Sequence, residues 1–310
     1  MTNHDARERA TRALRRVPEP AEKTRQLGEL IDKTITQSLA KLLTPNEQAR
    51  LRRAVLNLLH TSPDLLSCDH KSIICCVLQA AYLNLDPSPA LGHVYFVPFE
   101  DSHRGVKEAQ LLIGYKGWME LAYRSGQVTA ISAQVIRSCD EYQISLGTQP
   151  QLIHVPKPPK ESDDVVAAYA VAKLEGAGVV FDIVWRYELE KIRERSRAAK
   201  SPRSPWNTDF EAMCRAKAIR RLVRWLPKTL KVQEAVTTDE LVDAGISLSE
   251  VETEESLLAK IAADRANVKE QQARNEEHER NAIGEADSNR EKPERPPQTG
   301  EQSHEPGSLF

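Results

Sequence analysis

The residues best suited to chemistry in this sequence are cations, concentrated in residues 191–232. This stretch carries 13 Lys and Arg residues and only three acids, although the formal net charge of the chain is -2. Residues 207–226 have helical periodicity, and at about 100° per residue four of the cations share one face: Lys217, Arg220, Arg221 and Arg224. Four apolar residues point to an adjacent face that can pack on a core: Cys214, Ala218, Leu222 and Trp225. Such a helix offers a suitable surface to a polyanion.

A second basic segment precedes this helix. Residues 193–203 combine five Lys and Arg residues with two serines. Point charges and hydroxyl donors in this mixture can follow a phosphate backbone. The alternative interpretation is a solvated helix and loop, which is the usual arrangement of a run of charges. The same bias in the adjoining helix favours the phosphate interpretation.

A glycine motif lies where a predicted strand turns into a helix, in residues 113–118 (IGYKGW). Both glycines allow a ligand to approach the backbone closely, and Tyr115 or Trp118 could stack on a base. An aromatic residue one turn into an amphipathic helix is more often in the core, which is where we expect Trp118. Lys116 and Arg124 are the better candidates for contact with phosphate.

No pattern in the sequence indicates an enzyme. A metal-dependent nuclease needs an acid on one strand and an acid-x-Lys motif on the next, but the acid-x-Lys motif here, Asp69-His-Lys71, lies at a predicted helix start. No phosphate-binding loop of the ATPase type occurs. The five cysteines have no zinc-ligand spacing and are expected to be core thiols. The sequence therefore predicts no catalytic residue, no metal and no cofactor.

Charge divides the chain into regions. Residues 233–310 carry 19 acids and eight Lys and Arg residues, a net charge of -11. The predicted organisation is a flexible arm in residues 1–22, a core in residues 23–232 and a small helical segment in residues 233–262. Residues 263–310 are almost empty of large apolar side chains until the last two positions, which predicts a disordered acidic tail. Because no signal peptide or membrane span is visible, we expect a cytoplasmic protein.

The spacing of apolar residues along the chain predicts an α+β fold, and the elements of this fold position the residues described above. Residues 24–43, 45–59 and 69–83 form an N-terminal helical layer, with Thr44 as the cap of the second helix. Six short runs rich in β-branched and aromatic residues then predict strands of a twisted, mainly antiparallel sheet: 91–99, 110–115, 128–137, 142–146, 165–174 and 179–185. Further helices are predicted at 116–125, ended by Gly126, and at 187–197. The C-terminal basic helix is expected to end at Pro227.

Four ordered blocks resemble the RecT-type single-strand annealing recombinases of phages and prophages. They are residues 78–87 (LQAAYLNLDP), 90–98 (ALGHVYFVP), 111–118 (LLIGYKGW) with 122–126 (AYRSG), and 204–213 (SPWNTDFEAM) leading to 219–227 (IRRLVRWLP). The resemblance covers roughly residues 25–232. Asn84 and Asp86 stand where the family often has Gly and Glu, and Trp118 where a smaller apolar residue is common. These departures concern local packing.

The resemblance implies that the protein binds single-stranded DNA without ATP and anneals it to a complementary strand, so that it also holds the annealed duplex. It further implies assembly into rings or helical filaments. It implies helices packed on a twisted sheet and a long positive groove for DNA. It also implies a partner 5′–3′ exonuclease of the phage, and a further candidate partner is the host single-strand binding protein, through the C-terminal region. Carried over by motif, the expected groove residues are Lys116, Arg124, Lys217, Arg220, Arg221 and Arg224, followed by Arg137, Ser196 and Lys200.

The alternative function is a protein-interaction scaffold. In that case the basic helix engages an acidic partner or the acidic C-terminal region of its own chain.

Overall fold

The computed structural model describes residues 20–290, except 102–104, 161–162, 177, 203 and 228. The predicted N-terminal layer is confirmed. It comprises α1 (Pro20–Lys33) with a π-helical turn (Thr34–Ser38), α2 (Pro45–Thr61) and α3 (His70–Tyr82). A 3-10 turn (Pro63–Ser67) joins α2 to α3.

Side-chain caps define where two of these helices begin. Thr44 Oγ1 accepts a hydrogen bond from the Glu47 N–H at 3.3 Å, and the Glu47 carboxylate accepts one from the Thr44 N–H at 2.8 Å. This reciprocal pair satisfies two backbone donors that the helix itself leaves unpaired. Asp69 caps α3 by accepting from the Ser72 N–H at 3.2 Å. The Asp69-His-Lys71 triplet is therefore a helix start, as the sequence indicated.

The strands form three small antiparallel sheets in the described part of the chain, which corrects the expectation of one sheet. The strands β1 (Val94–Asp101) and β2 (Val106–Ile113) pair with each other. A three-stranded sheet has the order β3-β6-β7, and a hairpin joins β4 to β5. Their bounds are Val128–Arg137 (β3), Glu141–Ser145 (β4), Gln151–Val155 (β5), Val165–Leu174 (β6) and Gly178–Trp185 (β7). The α+β class is confirmed.

The hairpin is tied to the three-stranded sheet by a buried polar chain. The Asp140 carboxylate accepts from the backbone N–H groups of Arg137 and Lys157 at 2.7 and 2.9 Å, and lies 3.1 Å from His154 Nε2. The Tyr169 hydroxyl lies 3.1 Å from His154 Nδ1. With Nε2–H donating to Asp140, Nδ1 accepts from the hydroxyl. Strand β5, which carries His154, was absent from the prediction because it is short and only half-buried on one face.

Seven helices follow the first strands in the described residues. They are α4 (Tyr115–Tyr123), α5 (Arg186–Arg195), α6 (Pro205–Thr208), α7 (Phe210–Val223), α8 (Leu230–Ala244), α9 (Leu248–Val251) and α10 (Glu254–Arg290). A 3-10 turn (Arg197–Lys200) follows α5. Gly126, with φ of 70°, lies just past α4 in the left-handed conformation that glycine tolerates.

The predicted basic helix is shorter than expected and divided. Asp209, with φ of -142°, separates α6 from α7. The helix α7 ends at Val223 because the ring of Pro227 would clash with a helical carbonyl four residues earlier. Trp225 therefore lies beyond the helix and is 72% exposed, so the prediction that it packs on the core was wrong.

The main core is one apolar cluster that extends from the N-terminal helices to residue 261 and includes the packing of α7 on the three-stranded sheet. Cys214, Ala218 and Leu222 of α7 are fully buried, as the periodicity predicted, and belong to the same apolar cluster as the small residues of β6. Trp118 is 1% exposed, which confirms its expected core position. All five cysteines carry free thiols. Burial raises the pKa of Cys68 and Cys75 to about 11 and that of Cys214 to about 12.

The C-terminal region differs from its prediction. Apolar residues of 233–262 belong to the main core, among them Ala235, Val236, Leu248, Leu257 and Ile261. Residues 263–290, expected to be disordered, continue α10, which is rich in strong helix formers such as Ala, Glu, Gln and Lys. The described residues form two units that divide between Ile261 and Ala262. The predicted arm at residues 1–19 and tail at residues 291–310 lie outside the described residues.

A search of the described helices found none with the length and apolar character needed to cross a membrane.

Candidate nucleic-acid interface

Three of the four cations that were predicted to share one face are engaged by acids of the same chain: Arg220, Arg221 and Arg224. Arg220 and Arg224 reach α8, where both contact the Asp239 carboxylate, with distances of 2.5 Å from Arg220 Nε and 3.2 Å from Arg224 Nη2. Asp243 is a second partner of Arg220. The Asp239 carboxylate is only 5% exposed. These ion pairs fasten α7 to α8.

Arg221 points away from α8, so the four cations do not form the single exposed face that the helical wheel predicted. Its guanidinium makes a two-point contact with Asp182 of β7, at 2.8 and 2.9 Å, and a third contact with Glu188 of α5 at 2.7 Å. It also donates to the backbone carbonyl of Ile183. Arg221 therefore joins α7 to the edge of the sheet.

Lys217 is half-buried beside these arginines. Burial lowers the pKa of Lys217 to about 8, and the neighbouring charge of Arg220 adds to the effect. Its Nζ lies 5.9 Å from the centre of the buried Trp206 ring. The last of the four cations predicted to share one face is thus partly withdrawn from solvent.

Two further predicted site residues are arginines with partners. Arg137 makes a two-point contact with Glu211, at 2.9 and 2.7 Å, which connects β3 to α7. Arg124 contacts Glu120 at 2.8 Å and donates to the Leu83 carbonyl at 3.1 Å. Each guanidinium has a structural role, and whether it also contacts DNA stays a prediction.

The remaining predicted residues are two exposed lysines and a half-buried serine: Lys116, Lys200 and Ser196. Among the residues that the structure describes, no acid lies within ion-pair distance of either lysine. Ser196 and Lys200 line one shallow depression beside Glu190, Arg193 and Ala199. Lys116 lies on a different element, the helix α4.

The two glycines beside Lys116 serve the fold of the chain. A Cβ atom at Gly114 would lie 2.3 Å from the Gly92 carbonyl oxygen, and one at Gly117 would lie 2.2 Å from the His93 carbonyl oxygen. The close approach that glycine permits is therefore made by the backbone of the preceding loop. The expectation that these glycines admit a ligand is corrected.

The acidic region of the chain does contact the basic helix. Asp239, Glu240 and Asp243, all in α8, are partners of Arg220 and Arg224. The scaffold alternative predicted such a contact between the basic helix and the acidic C-terminal region of the same chain. It does not require a second protein.

Within the described ranges, no group of three or more His, Cys, Asp and Glu side chains is placed to hold a metal ion.

Comparison with known proteins bears on the whole arrangement. A model of the RecT family matches residues 49–256. The protein RecT of Escherichia coli (strain K12) is 38% identical over 193 residues, which cover 62% of this chain and 71% of that protein. An uncharacterized protein, YqaK of Bacillus subtilis (strain 168), is 24% identical over 241 residues, or 77% of this chain and 80% of that protein. The matched range includes all the predicted site residues, and the chain belongs to the RecT family.

Proposed function

We propose that this protein binds single-stranded DNA without ATP and anneals it to a complementary strand. It acts as an oligomer, on substrate made by a 5′–3′ exonuclease. The observation that carries the proposal is the family match over residues 49–256, which contains both the strands and the cations discussed above. It acts without catalysing a chemical step.

An annealing protein must hold a strand with its bases exposed, so phosphate contacts suit it better than contacts to base edges. Lys116, Ser196 and Lys200 are the predicted site residues whose polar groups are directly available for such contacts. We assign them the first contacts with the strand. Lys116 lies on α4, and the other two residues follow α5.

The paired arginines have a second role in this proposal. Arg220, Arg221 and Arg224 reach DNA only where a phosphate replaces a carboxylate of Asp239, Asp182 or Glu188. Arg137, held by Glu211, is in the same position, and Lys217 and Arg124 are partly withdrawn. Such an exchange restores a charge-assisted hydrogen bond of similar strength.

The test is to mix complementary oligonucleotides with the protein in the absence of nucleotide and follow duplex formation across a salt series. We expect accelerated annealing by the wild type. The Lys116→Ala/Lys200→Ala double variant should bind single strands more weakly, with a salt slope reduced by about 0.7 for each lost phosphate contact. Lys173→Ala, at an exposed position of β6, is the matched control.

Absence of acceleration at every salt concentration would reject the annealing function and favour the scaffold. Magnesium-dependent cleavage of the oligonucleotides would instead indicate a nuclease. Sedimentation with and without DNA tests the oligomer. Co-purification with the phage exonuclease or with the host single-strand binding protein tests those two partners.

A further inference from the structure

We infer that the outward face of α5 is a single-strand contact in which Tyr187 stacks on a base while Lys191 and Arg195 hold phosphates. The inference rests on the proposed function and extends it. It adds an aromatic contact, Tyr187, which the sequence did not indicate, to two cations of the basic stretch 191–232.

The three residues form one stripe because they are four positions apart. Each is exposed, and Tyr187 has 62% of its surface accessible. At a rise of about 1.5 Å per residue, neighbouring members of the stripe are about 6 Å apart along the axis. The Lys191 Nζ lies 5.5 Å from the centre of the Tyr187 ring. The ring and the cation are thus presented together.

The acids of α5 face inward for the most part, which leaves this stripe basic. Glu188 contacts Arg221 and caps the helix through the Trp185 N–H at 2.9 Å. Glu190 contacts Arg186 at 2.7 Å and Arg193 at 3.5 Å. Of the three acids in α5, Glu194 alone is exposed. Two of the three acids are thus engaged by arginines, whereas Glu194, seven positions after Tyr187, stands beside the stripe.

Beyond the end of the helix, Lys200 lines a depression with Arg193 and Glu194. The chain turns at Ser196, whose N–H donates to the Arg193 carbonyl at 3.0 Å, and enters the 3-10 turn that ends at Lys200. The Arg195 Nε donates to the Lys191 carbonyl at 3.3 Å, which holds the guanidinium along the helix. Within α5, contacts therefore connect Tyr187 to Lys191 and Lys191 to Arg195.

The chemistry of this face favours a nucleic acid over a protein partner. The centre of a protein interface is depleted in charged residues, whereas Tyr187 has Lys191 as its neighbour and Glu194 and Arg195 follow. Every base offers a π face to a tyrosine, so stacking is compatible with any sequence. That tolerance is what annealing of arbitrary complementary strands demands.

The experiment compares Tyr187→Ala and Tyr187→Phe with the wild type, using the full-length protein. Two probes of equal length are titrated, a thymidine oligonucleotide and one made of abasic sugar phosphates. We expect Tyr187→Ala to bind the thymidine probe about tenfold more weakly and the abasic probe unchanged. Tyr187→Phe should retain binding to both. Tyr142→Ala, at a tyrosine of β4 that is 42% exposed, is the matched control.

The cations are tested with the same probes. Lys191→Ala/Arg195→Ala should weaken binding to both probes and reduce the salt slope by about 0.7 for each lost contact. Thermal unfolding of each variant establishes that it is folded. Unchanged binding of the thymidine probe by folded Tyr187→Ala would overturn the stacking, as would equal losses on the two probes.

Two other results distinguish a failure of this inference from a failure of the proposed function. Loss of self-association by Tyr187→Ala, without loss of DNA affinity by the protomer, would make the stripe a protein contact and overturn the inference. Failure of the wild type to bind either probe would reject the proposed function together with it.

Discussion

Arg221 of α7 and Asp182 of β7 form a two-point ion pair whose Nε–Oδ2 and Nη2–Oδ1 distances are 2.8 and 2.9 Å. The same carboxylate accepts from the Trp225 indole N–H at 3.1 Å. Arg221 had been expected to lie in a DNA groove, and it instead braces the helix against the sheet. One measurement can establish whether it has both roles.

Asp182→Asn keeps the shape of the side chain and removes its charge. We expect the free energy of unfolding to fall by about 1–3 kcal/mol, because a partly buried guanidinium loses its best partner. Urea unfolding measures this, with Asp164→Asn as a control at a carboxylate that is 87% exposed. If Arg221 contacts DNA by exchanging partners, single-strand affinity should rise in Asp182→Asn. If Asp182→Asn and the wild type bind single strands with equal affinity, Arg221 has a structural role only.

Lys217→Met removes a cation whose pKa burial lowers from 10.5 to about 8. Between these values the unfolded chain binds the proton more tightly, so the wild type gains stability as pH rises from 8 to 10.5. The variant should therefore be more stable by about 1–2 kcal/mol at pH 7, and its advantage should shrink toward pH 10.5.

Thermal unfolding at several pH values measures that advantage. Lys173→Met, at an exposed position, should show no such dependence on pH. An advantage of Lys217→Met that stays constant up to pH 10.5 would contradict the lowered pKa.

Asp140→Asn tests the polar chain beneath the hairpin. Burial acts to raise the pKa of Asp140, but the N–H groups of Arg137 and Lys157 and the His154 ring outweigh it and hold the pKa at about 2, below the usual 3.8. The stabilisation is present above about pH 4 and lost as pH falls toward 2. We expect the wild type to be about 2 kcal/mol more stable at pH 6. Denaturant titrations should show the gap closing in acid, and a gap independent of pH would refute this account.

Gly117→Ala and Gly28→Ala should have opposite effects. At Gly117 the added Cβ meets a backbone oxygen at 2.2 Å, and we expect a loss of about 3 kcal/mol because backbone must move. At Gly28, inside α1, the nearest atom is Leu56 Cδ2 at 3.4 Å. There alanine should stabilise by about 0.5 kcal/mol through its higher helix propensity. Calorimetry of both variants checks the pair, and a tolerated Gly117→Ala would mean that the loop at His93 yields.

Local patterns sufficed to predict most of the elements. The strands β3 and β6 have the predicted bounds, because ten-residue runs rich in Val, Ile and Ala between turn residues leave little freedom in their placement. The helix α7 ends three residues before its predicted end. The ring of Pro227 would clash with the carbonyl group of Val223, so the helix ends at that residue rather than next to the proline.

The partners of the cations could not be predicted from local patterns. Asp182 precedes Arg221 by 39 positions and Asp239 follows Arg220 by 19 positions, so their contacts depend on how the sheet and α8 pack on α7. A helical wheel places four cations on one face but carries no information about the acids brought to that face. The spacing of residues 187, 191 and 195, four positions apart, could have predicted the stripe of α5. The many Lys and Arg residues in the same stretch made this spacing hard to recognise.

The buried thiols have a practical consequence for following this protein on DNA. Maleimide dyes react with thiolates, and the raised pKa values of Cys68, Cys75 and Cys214 keep those sulfurs protonated at neutral pH. Cys76 is also buried, whereas Cys139 is only half-buried. A single cysteine introduced at an exposed position can therefore be labelled selectively once Cys139 is replaced, with the four buried cysteines retained. A fluorophore placed beside α5 would then report strand arrival in real time.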